Sequence, residues 1–115
     1  MKAGKVWGST ELLLQTPFVE LHRIYVRKGG FCSTHMHQRK WNLFYVIFGE
    51  LDVHVYKNDY DLKDTTHLHE GDWTTVKPGE FHSFEGIIEV DALELYYPET
   101  LSEDIIRKSV VGFKK

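Results

Sequence analysis

Cysteine is all but missing from this chain. Cys32 stands alone among 115 residues, which excludes an internal disulfide and matches the usage of a reducing compartment. No apolar run approaches the ~20 residues that a membrane-crossing helix needs. The opening MKAGKVWGSTE lacks the apolar centre of a secretory leader, so the expected location is the cytosol. Basic blocks are missing too. Fourteen Lys and Arg lie scattered among 17 Asp and Glu, for a net charge of -3, which argues against a nucleic-acid or polyanion surface. Internal repeats and low-complexity segments are also absent. Prolines are few, and Pro17, Pro78 and Pro98 read as punctuation between extended runs.

What is present is strand-forming sequence. The length suits one domain, residues 1–115, with a single core, and an aromatic share of 14% favours strands. An irregular lead-in and a short strand are expected within residues 5–14. Further strands are expected over residues 18–27, 31–37, 41–48, 50–56, 65–68, 73–76, 82–84 and 87–97. Turns fall at Lys28-Gly29-Gly30, Gly71-Asp72, Lys77-Pro78-Gly79 and Glu85-Gly86, and residues 57–64 form a polar loop. Thr100 and Glu103 have capping-box spacing, which predicts a short helix to about Lys108. Short strands at intervals of about ten residues, separated by Gly and Pro turns, indicate an all-β sandwich or barrel.

The run Trp41 to Phe48 is apolar on both faces. Phe44, Val46 and Phe48 share the phase of Asn42, while Leu43, Tyr45 and Ile47 share the other. A half-exposed strand would alternate apolar with polar, so two coverings are implied: the barrel interior, and a second sheet or another subunit. The expectation is a homodimer. In the next strand Leu51, Val53 and Val55 face inward, and Asp52, His54 and Tyr56 outward.

The chemistry gathers around GGFCSTHMHQRKWNLFYVIFG, residues 29–49. Residues two apart in a strand share a face, so His35 and His37 project together. Asn42 arrives from the next strand and His82 from a later one. Imidazoles converging in this way point to a metal site. Neutral imidazole suits zinc, copper, iron or nickel, and three protein ligands plus waters form an open site. Phe44, Val46 and Phe84 share the interior phase and give an apolar wall for a small-molecule ligand. Glu94 and Tyr96 are polar candidates on the last strand, their facing left open.

Other candidates have plainer readings. His67 and His69 flank inward Leu68, so both face solvent and are assigned no second site. His54 and His22 read as surface or interface residues. Cys32, out of phase with the histidine pair, points away from the site as a small buried apolar residue. Trp7, Trp41 and Trp73 read as core or interface rather than as a sugar-stacking surface.

Gly29, His35, His37, Asn42 and Gly49 follow the spacing of the first cupin motif, with Asn42 where that motif normally has glutamate. Gly71-Asp72 and Pro78-Gly79-Glu80-Phe81-His82 resemble the second motif. The pair resembles the cupin superfamily, which implies a double-stranded β-helix, or jelly-roll barrel. Trp7-Gly8-Ser9, Lys28-Gly29-Gly30, Ser33 and residues 103–107 are further similar to the C-terminal cupin domain of bacterial type II mannose-6-phosphate isomerases. Two departures stand out: that family has Gln-x-His in place of His35-Met36-His37, and glutamate in place of Asn42. The resemblance implies a divalent transition metal (Fe, Mn, Zn or Ni) on His35, His37, His82 and Asn42, and sugar-phosphate isomerisation on a carbohydrate or similar polar metabolite. Two other functions stay open, an Fe(II) site activating dioxygen and a non-enzymatic module that binds a small ligand.

Overall fold

Alternation along the last strand sets the inside of the molecule. Val90, Ala92 and Glu94 are buried, while Asp91, Leu93 and Leu95 between them are less so, the period of two expected of a strand with one face in a core. The computed structural model describes residues 2–57, 62–98, 108 and 112–114. Among these the chain forms β1 (Lys2–Lys5), β2 (Gly8–Gln15), β3 (Glu20–Val26), β4 (Trp41–Phe48), β5 (Leu51–Tyr56), β6 (Lys63–Leu68), β7 (Trp73–Val76), β8 (Phe81–Gly86) and β9 (Val90–Tyr97). The helix expected after Thr100 lies outside the described residues.

Two sheets enclose the core. One runs β1-β2-β3-β9-β4-β7 and the other β6-β5-β8, and every ladder is antiparallel. This is the all-β jelly roll expected from the sequence. Ile24 and Val26 of β3 and Phe44 and Val46 of β4 meet Leu51 and Val53 of β5 and Phe84 of β8, all nearly or wholly buried. Phe44 and Phe84 pack edge to face with centroids 5.8 Å apart. Truncating a ring such as Phe44 costs about 3–5 kcal/mol.

Several expectations need correction. Residues 31–37 make only isolated bridges, Phe31 to Glu85 and His35 to His82, because polar Ser33 and Thr34 break the apolar alternation. The lead-in is a hairpin, β1 with β2. Glu85 and Gly86 belong to β8 rather than to a turn. Phe48 does not share the inward phase of Phe44 and Val46. A bulge between Val46 and Phe48 on the β9 side inserts an extra residue, and Phe48 emerges 60% exposed, as two-against-one pairing requires.

Gly49 follows that bulge with φ 94°, a left-handed conformation that side chains rarely adopt. A Cβ here would stand 1.9 Å from the Glu89 carbonyl oxygen. The glycine that closes the first motif is therefore required by both backbone angle and space.

Candidate metal centre and adjoining cavity

His35 and His37 lie on the connection between β3 and β4, fastened to β8 by backbone hydrogen bonds. The His35 amide donates to the His82 carbonyl at 3.0 Å and the His82 amide returns the bond at 2.8 Å. The Gly79 amide donates to the His37 carbonyl at 2.8 Å, tying the pair to the turn before β8. Register does the rest. His82 opposes Val55 and Phe84 opposes Val53 across β8 and β5, so both point to the interior, since directly paired residues share a face.

The three imidazoles meet. Ring centroids are 5.1 Å apart for His35 and His37, 4.6 Å for His35 and His82, and 5.4 Å for His37 and His82. One ring nitrogen from each lies within 4.8 Å of the others. His35 Nδ1 is 2.8 Å from the Ser33 carbonyl and His82 Nδ1 is 3.0 Å from the Glu80 carbonyl. A carbonyl only accepts, so each Nδ1 carries the proton and each Nε2 keeps a lone pair. Such outer contacts orient metal-binding histidines.

Three buried polar atoms here have no hydrogen-bond partner: His37 Nε2, His82 Nε2 and Asn42 Oδ1. Leaving a buried acceptor unsatisfied costs about 1–3 kcal/mol, and a cation held by the histidine nitrogens removes that cost for them. The Asn42 amide nitrogen donates to the Leu95 carbonyl at 3.3 Å, which leaves Oδ1 as the free end. Burial lowers the pKa of His82. Burial, and then the neighbouring Lys40, His35 and His82, push His37 down to about 4. Both are therefore neutral at pH 7, the form that ligates metal. Nitrogen donors with one amide oxygen fit a divalent transition ion.

A cavity of about 380 Å³ opens beside the histidines, lined among others by Trp7, His22, Cys32, Lys40, Phe84, Glu94 and Tyr96. Of the residues expected to wall a ligand pocket, Phe84 does so, with Trp7 edge-on at 5.0 Å. Phe44 and Val46 are fully buried in the core and do not reach that lining. Glu94 opposes Phe44 and Tyr96 opposes Asn42 across β9 and β4, which settles that both face inward. Tyr96 Oη donates to Glu94 Oε2 at 2.9 Å. Burial raises the Glu94 carboxyl pKa, with Tyr96 and His22 opposing. The Tyr96 phenol is raised by burial and by Glu94.

His22, read from the sequence as a surface or interface residue, instead lines this cavity with Thr10, Glu20 and Lys40. His22 lies 2.6 Å from Glu20 Oε1 and 3.4 Å from Thr10 Oγ1. Its ring meets Tyr96 edge to face at 5.9 Å, and Lys40 Nζ stands 4.2 Å from the Tyr96 ring centroid. Counting back by twos from buried Val26 and Ile24 reaches His22 and Glu20, a signal present in the sequence.

Cys32 lines the same cavity rather than turning away, because residues 31–37 are not one continuous strand and the alternation breaks. Its Sγ accepts the Phe84 amide at 3.2 Å, and burial pushes the thiol up to about 11, so it is unreactive at neutral pH. His54 is on the outer phase as expected, yet buried. Its strand neighbours cover it, with Thr65 Oγ1 at 2.8 Å and Glu85 at 3.9 Å.

The family model described as Cupin matches residues 3–106. The chain belongs to the cupin family. A mannose-1-phosphate guanylyltransferase of Klebsiella pneumoniae is 30% identical over 102 residues, 87% of this cupin but 20% of that relative. This cupin therefore spans about a fifth of the curated relative's length. Among solved structures, KdgF from Halomonas sp. superposes with TM-score 0.71 at 16% identity, covering 84% of each chain. The Bacillus subtilis oxalate decarboxylase, described with Mn(II) centres, gives 0.74 at 15% identity, covering 89% of this cupin and 28% of that chain. These superpositions establish the fold.

Proposed function

We propose that this cupin binds a divalent transition metal and acts on a small polar metabolite of carbohydrate type, with sugar-phosphate isomerisation as the most specific form. The observation that carries this reading is the convergence of His35, His37 and His82, with partnerless acceptor atoms on His37, His82 and the inward-facing Asn42, beside a cavity that also holds a buried carboxyl. The guanylyltransferase relative supports a sugar-phosphate ligand. Lys5 and Lys40 on the cavity lining supply cations for a phosphoryl group.

A metal bound there supplies Lewis acidity toward carbonyl and hydroxyl oxygens. The protein supplies the rest. Glu94, whose pKa is raised by burial, moves a proton between adjacent carbons, since a carboxyl tuned toward neutrality is suited to acid–base work. Tyr96 holds one carboxyl oxygen, and Trp7 with Phe84 keeps that side of the cavity apolar.

The test is a coupled assay of mannose-to-fructose phosphate conversion on protein loaded with iron, manganese, zinc or nickel. The expected outcome is turnover that falls at least about 100-fold in Glu94→Gln, the scale of a general acid–base contribution, with metal content unchanged. No conversion with any divalent metal rejects the isomerase reading.

A second reading rests on Asn42. A neutral amide in place of carboxylate lowers the site's charge by one and its affinity for hard ions, which favours a non-enzymatic module that binds a small ligand. Its signature is a ligand-induced rise in thermal midpoint without turnover. We also propose that two copies pair through the outer face of the larger sheet. There Trp73, Tyr45 and Leu93 stand side by side across β7, β4 and β9, and Trp73 is 61% exposed.

A further inference from the structure

A second cluster stands on the other face of the three-stranded sheet. Leu68 pairs with Leu51 and is buried, so the adjacent pair His67 and Asp52 faces outward, away from the side that carries His82. Glu50 immediately precedes β5 and His69 immediately follows β6, which brings both to the corner where Asp52 and His67 lie. The backbone at this corner is held. Gly71 donates to the Val46 carbonyl at 2.8 Å, Asp72 to His69 at 2.9 Å, and Ile87 to Glu50 at 3.0 Å.

His67 Nε2 lies 2.9 Å and His69 Nε2 3.2 Å from the same Glu50 Oε1. Their rings stand 4.6 Å apart at 78°. One donor atom from each of the three residues falls within 4.8 Å of the others. The far nitrogens face separate carboxylates: His67 Nδ1 bonds Asp52, and His69 Nδ1 is 3.7 Å from Asp72 Oδ2. A protonated His67 clasped between Glu50 and Asp52 accounts for one ring. His69 turns its Nε2 to the same Glu50 oxygen, so that two imidazoles and one carboxylate bring ligand atoms to one point.

We propose that Glu50, His67 and His69 form a second site, for a divalent ion of the zinc class. Two imidazole nitrogens and one carboxylate oxygen form a donor set that zinc accepts, with a fourth position left to water. Zinc bonds of about 2.0–2.1 Å place tetrahedral donors roughly 3.4 Å apart, and the Glu50 edges already measure 2.9 and 3.2 Å. Asp52 and Asp72 would orient the rings from behind, as carboxylates do behind metal-bound histidines. The ion clamps the β4–β5 turn to the β6–β7 turn, so its consequence is structural.

The test is calorimetric titration of Zn²⁺ alone into the metal-free full chain, which needs no knowledge of substrate. Against wild type, His67→Ala/His69→Ala loses one equivalent. The His37→Ala/His82→Ala variant keeps that equivalent, and in it zinc still raises the thermal midpoint. Glu50→Gln, which leaves both rings in place, weakens the same equivalent at least about tenfold. If the interior histidines take no zinc, wild type binds one equivalent and His67→Ala/His69→Ala removes it, which supports the assignment equally. Zinc binding of His67→Ala/His69→Ala equal to wild type in number and affinity overturns it.

Discussion

Gly49 shows how a single residue can serve the whole arrangement. Its φ of 94° and the 1.9 Å approach of a would-be Cβ to the Glu89 oxygen let β4 turn sharply into β5. Gly49→Ala should cost about 2 kcal/mol or more, read as a lower urea midpoint with an unchanged slope. A change within about 0.5 kcal/mol, the usual effect of a neutral surface substitution, contradicts this account. The glycine was legible in the motif, and so was the meeting of His35, His37 and His82, because spacing of two and strand order carry through to space. The inward phase of His22 and Glu20 follows by twos from Val26 and Ile24, but their polarity reads as surface. Cys32 was misplaced because alternation was assumed across a stretch that lacks regular pairing.

The connection that carries His35 and His37 is held by its bridges to β8 and by the Gly79 amide on the His37 carbonyl. Its stability must therefore depend on the charge state of the rings it brings together. His37, pushed down to about 4, stays neutral in the folded state while the unfolded chain takes up a proton near its ordinary pKa of about 6.5. Between these values the unfolded state binds more protons, so stability is lost as pH falls from about 6.5 toward 4. Glu94, with its raised pKa, acts in the opposite sense, and the difference between variants isolates the histidine. The thermal midpoint of metal-free wild type, referred to His37→Gln, should fall between pH 7 and pH 5. A flat difference contradicts the burial account. The strands themselves were largely legible, because apolar alternation and Gly or Pro turns act locally. The bulge at Val46 and Phe48 was not, since its extra residue, Ile47, is apolar like its neighbours and leaves no mark in the pattern.

At the scale of the molecule, two sheets enclose one core, and the larger sheet still presents Trp73, Tyr45 and Leu93 outward. If a second copy covers this face, analytical ultracentrifugation gives a dimer for wild type and a monomer for Tyr45→Glu/Trp73→Glu. A monomeric wild type at micromolar concentration contradicts the pairing. The apolar character of both faces of β4 was readable in advance, whereas its occupant depends on a surface outside the strand. The central claim concerns the interior histidines, and elemental analysis of the purified protein beside His82→Ala tests it most directly. The account predicts about one equivalent of iron, manganese, nickel or zinc that depends on His82, with any ion on Glu50, His67 and His69 persisting in the variant. No His82-dependent metal, even after reconstitution with each ion, would contradict the account and leave the cavity as a ligand pocket without a metal.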